Sequence, residues 1–156
     1  MVESGLQREI KQTRPFRSPA QEAKVAVLRT ADVIRRRLGA LVGGHGITFQ
    51  QYNVLRILRG SHPTPLPTLE IGARMIESTP GITRLMDRLE QKGLVKRERC
   101  KEDRRMVHCS ITPGGLELLA ELDQPIADAD DGSLRGLSEA EIRTLIDLLE
   151  RVRANP

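Results

Sequence analysis

"TPGITRLMDRLEQKGLVKRERCKEDRRMVHCSIT", residues 79–112, changes its apolar pattern halfway along. In the first half Ile82, Leu85, Met86 and Leu89 fall within about 100° of one another on a helical wheel, so they form one core-facing stripe. Arg84 points away from that stripe, with Pro80, Asp87 and Arg88 beside it and Gly81 and Thr83 at the margins. Thr79 suits the N-cap, Pro80 the first helical position and Gly93 the C-terminal cap. In the second half the period becomes two. Val107, Cys109 and Ile111 alternate with Met106, His108 and Ser110, which predicts a strand over 106–111 paired with another over 94–99. A charged turn, 101–105, joins them.

Upstream the signals are helical. Val27, Ala31, Ile34, Leu38 and Leu41 recur at spacings of three and four within a helix over about 19–42, which "GGHG" (43–46) ends. Arg35, Arg36 and Arg37 are consecutive, so they cannot all share that stripe. Thr48 and Gln51 make a capping box for a helix with Tyr52, Leu55 and Leu58 inward and Gly60 as its stop. A proline-rich turn (61–67) and a short helix over about 68–75 follow. Residues 1–19, with Pro15 and Pro19, read as a flexible arm. Downstream, Thr112-Pro113 opens a helix through Leu116, Leu119 and Leu122. "SEAE" (138–141) opens a last one with Ile142, Leu145, Ile146, Leu149 and Val152 inward.

Helix, turn, short helix, turn, longer helix and two-stranded hairpin, in that order, make a winged helix-turn-helix. The expected fold is mainly α with a small β hairpin, flanked by N- and C-terminal helices. The domain limits are 1–19, 20–46, 47–112 and 113–156.

Charge divides along the same line. The net charge is +4, yet residues 1–112 hold 21 Lys/Arg against 11 Asp/Glu, and residues 113–156 hold 4 against 10. A basic working part of this kind suits a polyanion, and double-stranded DNA is the natural one. A helix with Arg84 and Arg88 on its outer face and small groups at Pro80, Gly81 and Thr83 suits the major groove, where Arg reads guanine bidentately. A hairpin carrying Lys96, Arg97, Arg99, Lys101, Arg104 and Arg105, concentrated toward its tip, suits the minor groove and its phosphate rims. Asp103 within that tip can hold an Arg in register by a bidentate pair.

The sequence resembles the MarR family of bacterial transcription regulators over about residues 22–153. The carrying segments are "ITFQQYNVLRIL" (47–58), "GITRLMDRLEQKGLVKRE" (81–98) and "EDRRMVHCSIT" (102–112). The last matches the family's wing pattern at Asp103, Arg105, Ile111 and Thr112. The resemblance implies that Arg105 enters the minor groove and Asp103 orients it, while Thr79, Pro80, Thr83 and Arg84 lie where bases are read. It also implies a homodimer, built from helices near 20–42, 113–130 and 138–153, that binds a palindromic operator as an effector-releasable repressor. Effectors in this family are often small aromatic acids bound near the junction of the two parts. Phe49 and Tyr52 are candidates there, with core packing as their other role.

Both cysteines sit in the hairpin. Folding about Asp103 sets Cys109 opposite Arg97 or Glu98, two or three residues from Cys100, or roughly 7–10 Å. That is too far for a disulfide, whose Cα atoms lie about 5.5–6 Å apart. Cys100, His108 and Cys109 lack metal-ligand spacing, so neither metal nor cofactor is expected. Between Arg99 and Lys101, Cys100 is the candidate redox thiol of a thiol-sensing alternative. The peroxide-sensing branch of the family uses a cysteine in its N-terminal helix, which this chain lacks. A winged-helix protein–protein adaptor is the other alternative, and the arginine-bearing wing argues against it. No nucleophile–base pair or phosphate-binding loop suggests an enzyme. Neither a membrane span nor an export signal is visible, so a cytoplasmic protein with reduced thiols is expected.

Overall fold

The computed structural model describes residues 4–78, 80–100, 103 and 105–155. The chain runs α1 (Gly5–Glu9), α2 (Pro19–Gly43), α3 (Phe49–Ser61), β1 (Leu66–Pro67), α4 (Thr68–Arg74), α5 (Ile82–Gln91), β2 (Val95–Arg99), β3 (Val107–Ile111), α6 (Pro113–Ser133) and α7 (Glu139–Ala154). It is a mainly helical winged helix-turn-helix.

Side-chain caps set the helix starts. Thr48 accepts from the Gln51 amide, and Ser138 from the Glu141 amide, both as complete capping boxes. Thr112 caps α6, with Pro113 in its first turn. Gly60 does not stop α3. The helix runs one residue further, to Ser61, and ends where His62 (ψ 135°) must turn extended ahead of Pro63. The buried face of α3, with Leu55 and Leu58 nearly inaccessible, outweighs the weak helix propensity of one glycine.

The sheet is larger than the expected hairpin. Its strand order is β1-β3-β2, all antiparallel. Leu66 pairs with Cys109 and Pro67 with His108, inside the segment read as a turn. In the hairpin Arg97 pairs with Cys109 and Arg99 with Val107, the expected offset. The core joins all these elements: Leu55 and Leu58 of α3, Ile71 of α4, Met86 and Leu89 of α5, and Leu119 and Leu122 of α6.

Two expectations change. The N-terminal segment is not a featureless arm, because α1 is closed by a Ser4–Gln7 capping box. It docks through Gln7 Nε2 to the Arg14 carbonyl (3.3 Å) and Glu9 to Arg29 (2.8 Å). A five-residue helix cannot hold itself, so these tertiary contacts sustain it. At the other end, the stripe of α7 is not inward within one chain. None of its residues is buried, and Ile146 and Val152 are 52% and 61% exposed. Val27 and Leu28 in the first half of α2 are exposed too, whereas Val42 at its other end lies in the core. One chain offers nothing to cover these apolar side chains.

Candidate nucleic-acid interface

α5 presents two faces. Leu85, Met86 and Leu89 are buried and Ile82 is half-buried, while Thr83, Arg84 and Arg88 are exposed on the other side. The helix begins later than expected. Gly81, at φ +85°, is its N-cap, and exposed Pro80 lies in the preceding turn rather than at the first helical position. Thr79, the expected cap, lies outside the described residues. A left-handed residue cannot sit inside a right-handed helix, so the chain reverses at Gly81 and helix geometry starts at Ile82. Space around a Cβ at Gly81 is open, so glycine is required there for its backbone angle and not for close packing. Gly93, at φ +71°, follows the C-cap Lys92 in the left-handed position expected of it.

The basic side chains of this region divide into two sets. Arg97 on β2 is bound within the protein. Its guanidinium meets Asp87 at 2.6 Å and Glu90 at 2.9 Å, and its amide donates to Glu90 Oε1 at 3.0 Å. Burial disfavours the Arg97 charge, but the Glu90 hydrogen bond and the charges of Glu90 and Asp87 outweigh it and raise its pKa above the ordinary value. Asp87, on the outer side of the wheel, thereby locks α5 onto the wing. Lys96 pairs with Glu98 at 2.7 Å. Arg84, Arg88, Arg99 and Arg105, by contrast, are exposed and have no ion-pair partner among the described residues.

At the wing tip the Cys100 amide donates to the Met106 carbonyl (2.9 Å) and the Met106 amide to the Asp103 carbonyl (2.9 Å). The Asp103 carboxylate accepts from the backbone amide of Arg105 at 2.9 Å. Among the described residues the Asp103 carboxylate meets no guanidinium; it shapes the turn through the backbone, and Arg105 is exposed. Lys101 and Arg104 lie outside the described residues. Between wing and helix, Thr68, Thr83, Arg105 and Met106 help line an open cleft of about 300 Å³.

The other candidates are placed as follows. Tyr52 is buried, its ring 6.3 Å from that of Phe49 and its hydroxyl accepting from Arg56 at 3.0 Å, with the Arg56 guanidinium 5.8 Å from the ring centre. This is core packing capped by a surface cation. Cys109 is fully buried with its sulfur 3.5 Å from the Thr68 hydroxyl. Burial pushes the thiol pKa up, against the Thr68 hydrogen bond and the Arg97 charge. Cys100 is half-buried at the end of β2. Both thiols are free, and among the described residues no group of three or more His, Cys, Asp or Glu could hold a metal ion. No described helix is long and apolar enough to cross a membrane.

Sequence reasoning missed the contacts that hold α5 in place. Buried Asn53 accepts from the Ile76 amide (2.9 Å), Arg35 of α2 pairs with Glu77, and Lys92 Nζ donates to the Gly46 carbonyl (2.7 Å). The run of three arginines on α2 was the one sequence signal pointing toward any of them.

Comparison with known proteins matches residues 47–107 to the MarR family. The HTH-type transcriptional regulator MhqR of Bacillus subtilis is 32% identical over 111 residues, 71% of this chain and 75% of that protein. A MarR transcription factor from Planctomyces limnophilus is 39% identical, with a TM-score of 0.68 over 87% of this chain and 98% of that one. A mutant MarR from E. coli complexed with operator DNA is 25% identical, with a TM-score of 0.76 over 96% and 99% of the two chains.

Proposed function

The chain belongs to the MarR family of transcription regulators, which are not enzymes, and we propose that it binds a palindromic operator as a homodimer and acts as an effector-releasable repressor. One observation carries the DNA-binding reading: α5 and the wing expose Arg84, Arg88, Arg99 and Arg105 without acidic partners among the described residues, while neighbouring Arg97 and Lys96 are internally neutralised. Unneutralised guanidinium groups on a projecting helix and an adjacent hairpin fit a phosphate-lined double groove.

In this reading α5 enters the major groove. Arg84 donates bidentately to a guanine edge, Thr83 and Pro80 lie against neighbouring bases or the sugar, and Arg88 reaches backbone. Arg105 enters the minor groove from a turn held by Asp103, with Arg99, Lys101 and Arg104 toward the phosphate rims. That a related E. coli MarR is complexed with operator DNA supports the DNA-binding part of this reading. Homodimerisation is supported by α7, none of whose apolar side chains is buried in one chain and whose Leu145, Ile146 and Val152 are exposed. A second copy would bury them and set two α5 helices on the two half-sites.

Gel shifts on DNA from the protein's own promoter region, with excess competitor and a salt series, test the reading. Arg105→Ala is expected to weaken binding strongly. Arg84→Ala is expected to cost about 1–3 kcal/mol on the preferred sequence and to flatten the preference at one base pair. Wild-type affinity in both variants would remove the interface and favour a protein–protein adaptor.

A further inference from the structure

We infer that Arg35, through Glu77, is a positioning residue that sets how α5 meets DNA, making the ion pair a mechanical link from α2 to the reading head. The inference rests on α5 being the DNA-reading helix.

The N-cap of α5 is Gly81, which has no side chain to cap the first turn. Among the described residues from Met75, the C-cap of α4, to Gly81, none belongs to a helix or strand, and Gly81 is left-handed. Contacts from elsewhere in the chain help to place this turn. Two are in view, on adjacent residues. Asn53 of α3, almost wholly buried, accepts from the Ile76 amide at 2.9 Å across 23 residues. Arg35 of α2 pairs through Nε with the Glu77 carboxylate across 42 residues. The first ties the turn to the core. The second ties it to a helix whose exposed apolar half lies outside that core.

The neighbouring arginines show that this is a particular contact and not a general basic surface. Arg36 pairs within its own helix with Asp32 at 2.7 Å, and Arg37 is exposed. Of the three consecutive arginines, Arg35 is the one whose pair reaches the turn before α5. At the far end of α5, Lys92 Nζ donates to the Gly46 carbonyl just after α2, at 2.7 Å. Both ends of the reading helix are therefore fastened to the α2 region, and a shift of α2 would tilt α5 instead of sliding past it.

Positioning has a distinctive signature. Bidentate base contacts demand geometry, whereas phosphate contacts are tolerant point-charge attractions. Loosening the turn should cost discrimination while leaving non-specific affinity in place. Partly exposed ion pairs contribute little to global stability, so the effect can be read without unfolding the protein.

The test uses the full-length protein, a duplex selected from a random pool by the wild type, and a scrambled duplex of equal length. Arg35→Met is expected to reduce the ratio of selected to scrambled affinity by about fivefold, within the range known for couplings through intermediate residues. Scrambled-duplex affinity, salt slope and Tm should stay as in the wild type. Arg35→Lys should recover most of the ratio, and Arg36→Met should leave it unchanged. An unchanged ratio in Arg35→Met overturns the inference. So does an equal loss on both duplexes with a shallower salt slope, which would make Arg35 a direct phosphate contact. An equal loss in Arg36→Met would assign the effect to net charge. Arg84→Ala is run alongside: if it too leaves selectivity intact, or the wild type selects no duplex, the reading of α5 itself is what has failed.

Discussion

At the scale of single residues, two adjacent glycines show how position decides chemistry. Thr112 donates its hydroxyl to the Gly93 carbonyl (2.7 Å), its amide to the Leu94 carbonyl (3.1 Å), and caps α6 by accepting from the Gly115 amide (3.1 Å). These bonds draw the first turn of α6 down onto the start of the wing. A Cβ at Gly115 would sit 2.4 Å from the Leu94 carbonyl oxygen and 2.7 Å from Ile111 Cγ1. The first neighbour is backbone and cannot swing aside. Gly115→Ala is therefore expected to destabilise by about 1–3 kcal/mol through overpacking, seen as a lower urea midpoint. At Gly114 the nearest atoms to a Cβ are 3.8 Å away, an ordinary contact. Gly114→Ala should be neutral or stabilise by up to about 1 kcal/mol, as alanine gains helix propensity. Equal midpoints for the two variants would contradict the packing argument. "PGG" is uninformative on this point, because the difference lies in atoms from residues 94 and 111.

Between elements, α3 and α6 are joined by the Arg59–Asp123 pair, with both guanidinium NH groups 2.9 Å from the two carboxylate oxygens. The Arg59 hydrogen bond, against a smaller burial effect, holds the Asp123 carboxyl below the usual carboxylate range. A depressed carboxyl pKa contributes stability above the unfolded value, about 3.9, and loses it as pH falls through the folded value. Asp123 is 54% exposed, so screening limits the contribution to about 0.2–1 kcal/mol. Thermal melts of wild type and Asp123→Asn are expected to differ modestly above about pH 4 and to converge below it. A gap that persists into strong acid would mean that packing, and not charge, holds the two helices. The caps at Thr48, Thr112 and Ser138 were legible because each is a contact between residues three apart. β1 was not, because its two residues become a strand only by pairing with β3, some forty residues away.

Across the whole molecule, the basic α5 and wing and the acidic carboxy-terminal segment carry the two proposed tasks, DNA binding and pairing with a second copy. The apolar stripe of α7 and the exposed Val27 and Leu28 of α2 are the surface proposed for a second copy. Leu145→Glu combined with Ile146→Glu should leave a folded, helical monomer, since neither side chain is buried in one chain. Sedimentation velocity should show a monomer where the wild type sediments as a dimer. Affinity for a two-half-site duplex should drop by about 10²-fold or more, as the linked second contact is lost. A double variant that still sediments as a dimer would place the interface elsewhere.

What the sequence by itself determined is whatever is written in local period and short spacing. That covers the apolar face of α5, the alternation of β3, the caps at Thr48, Thr112 and Ser138, and the offset that keeps Cys100 and Cys109 apart. Tertiary structure decided partnership. It spent Arg97 on Asp87 and Glu90, left Arg84 and Arg105 without acidic partners among the described residues, turned Asp103 onto a backbone amide, and brought Arg35 to Glu77. These residues look alike in the chain, since each is a charged side chain on a basic, solvated segment. Contacts between residues three or four apart follow from helix and strand geometry alone, whereas a contact across 42 residues exists only once every element between them has packed.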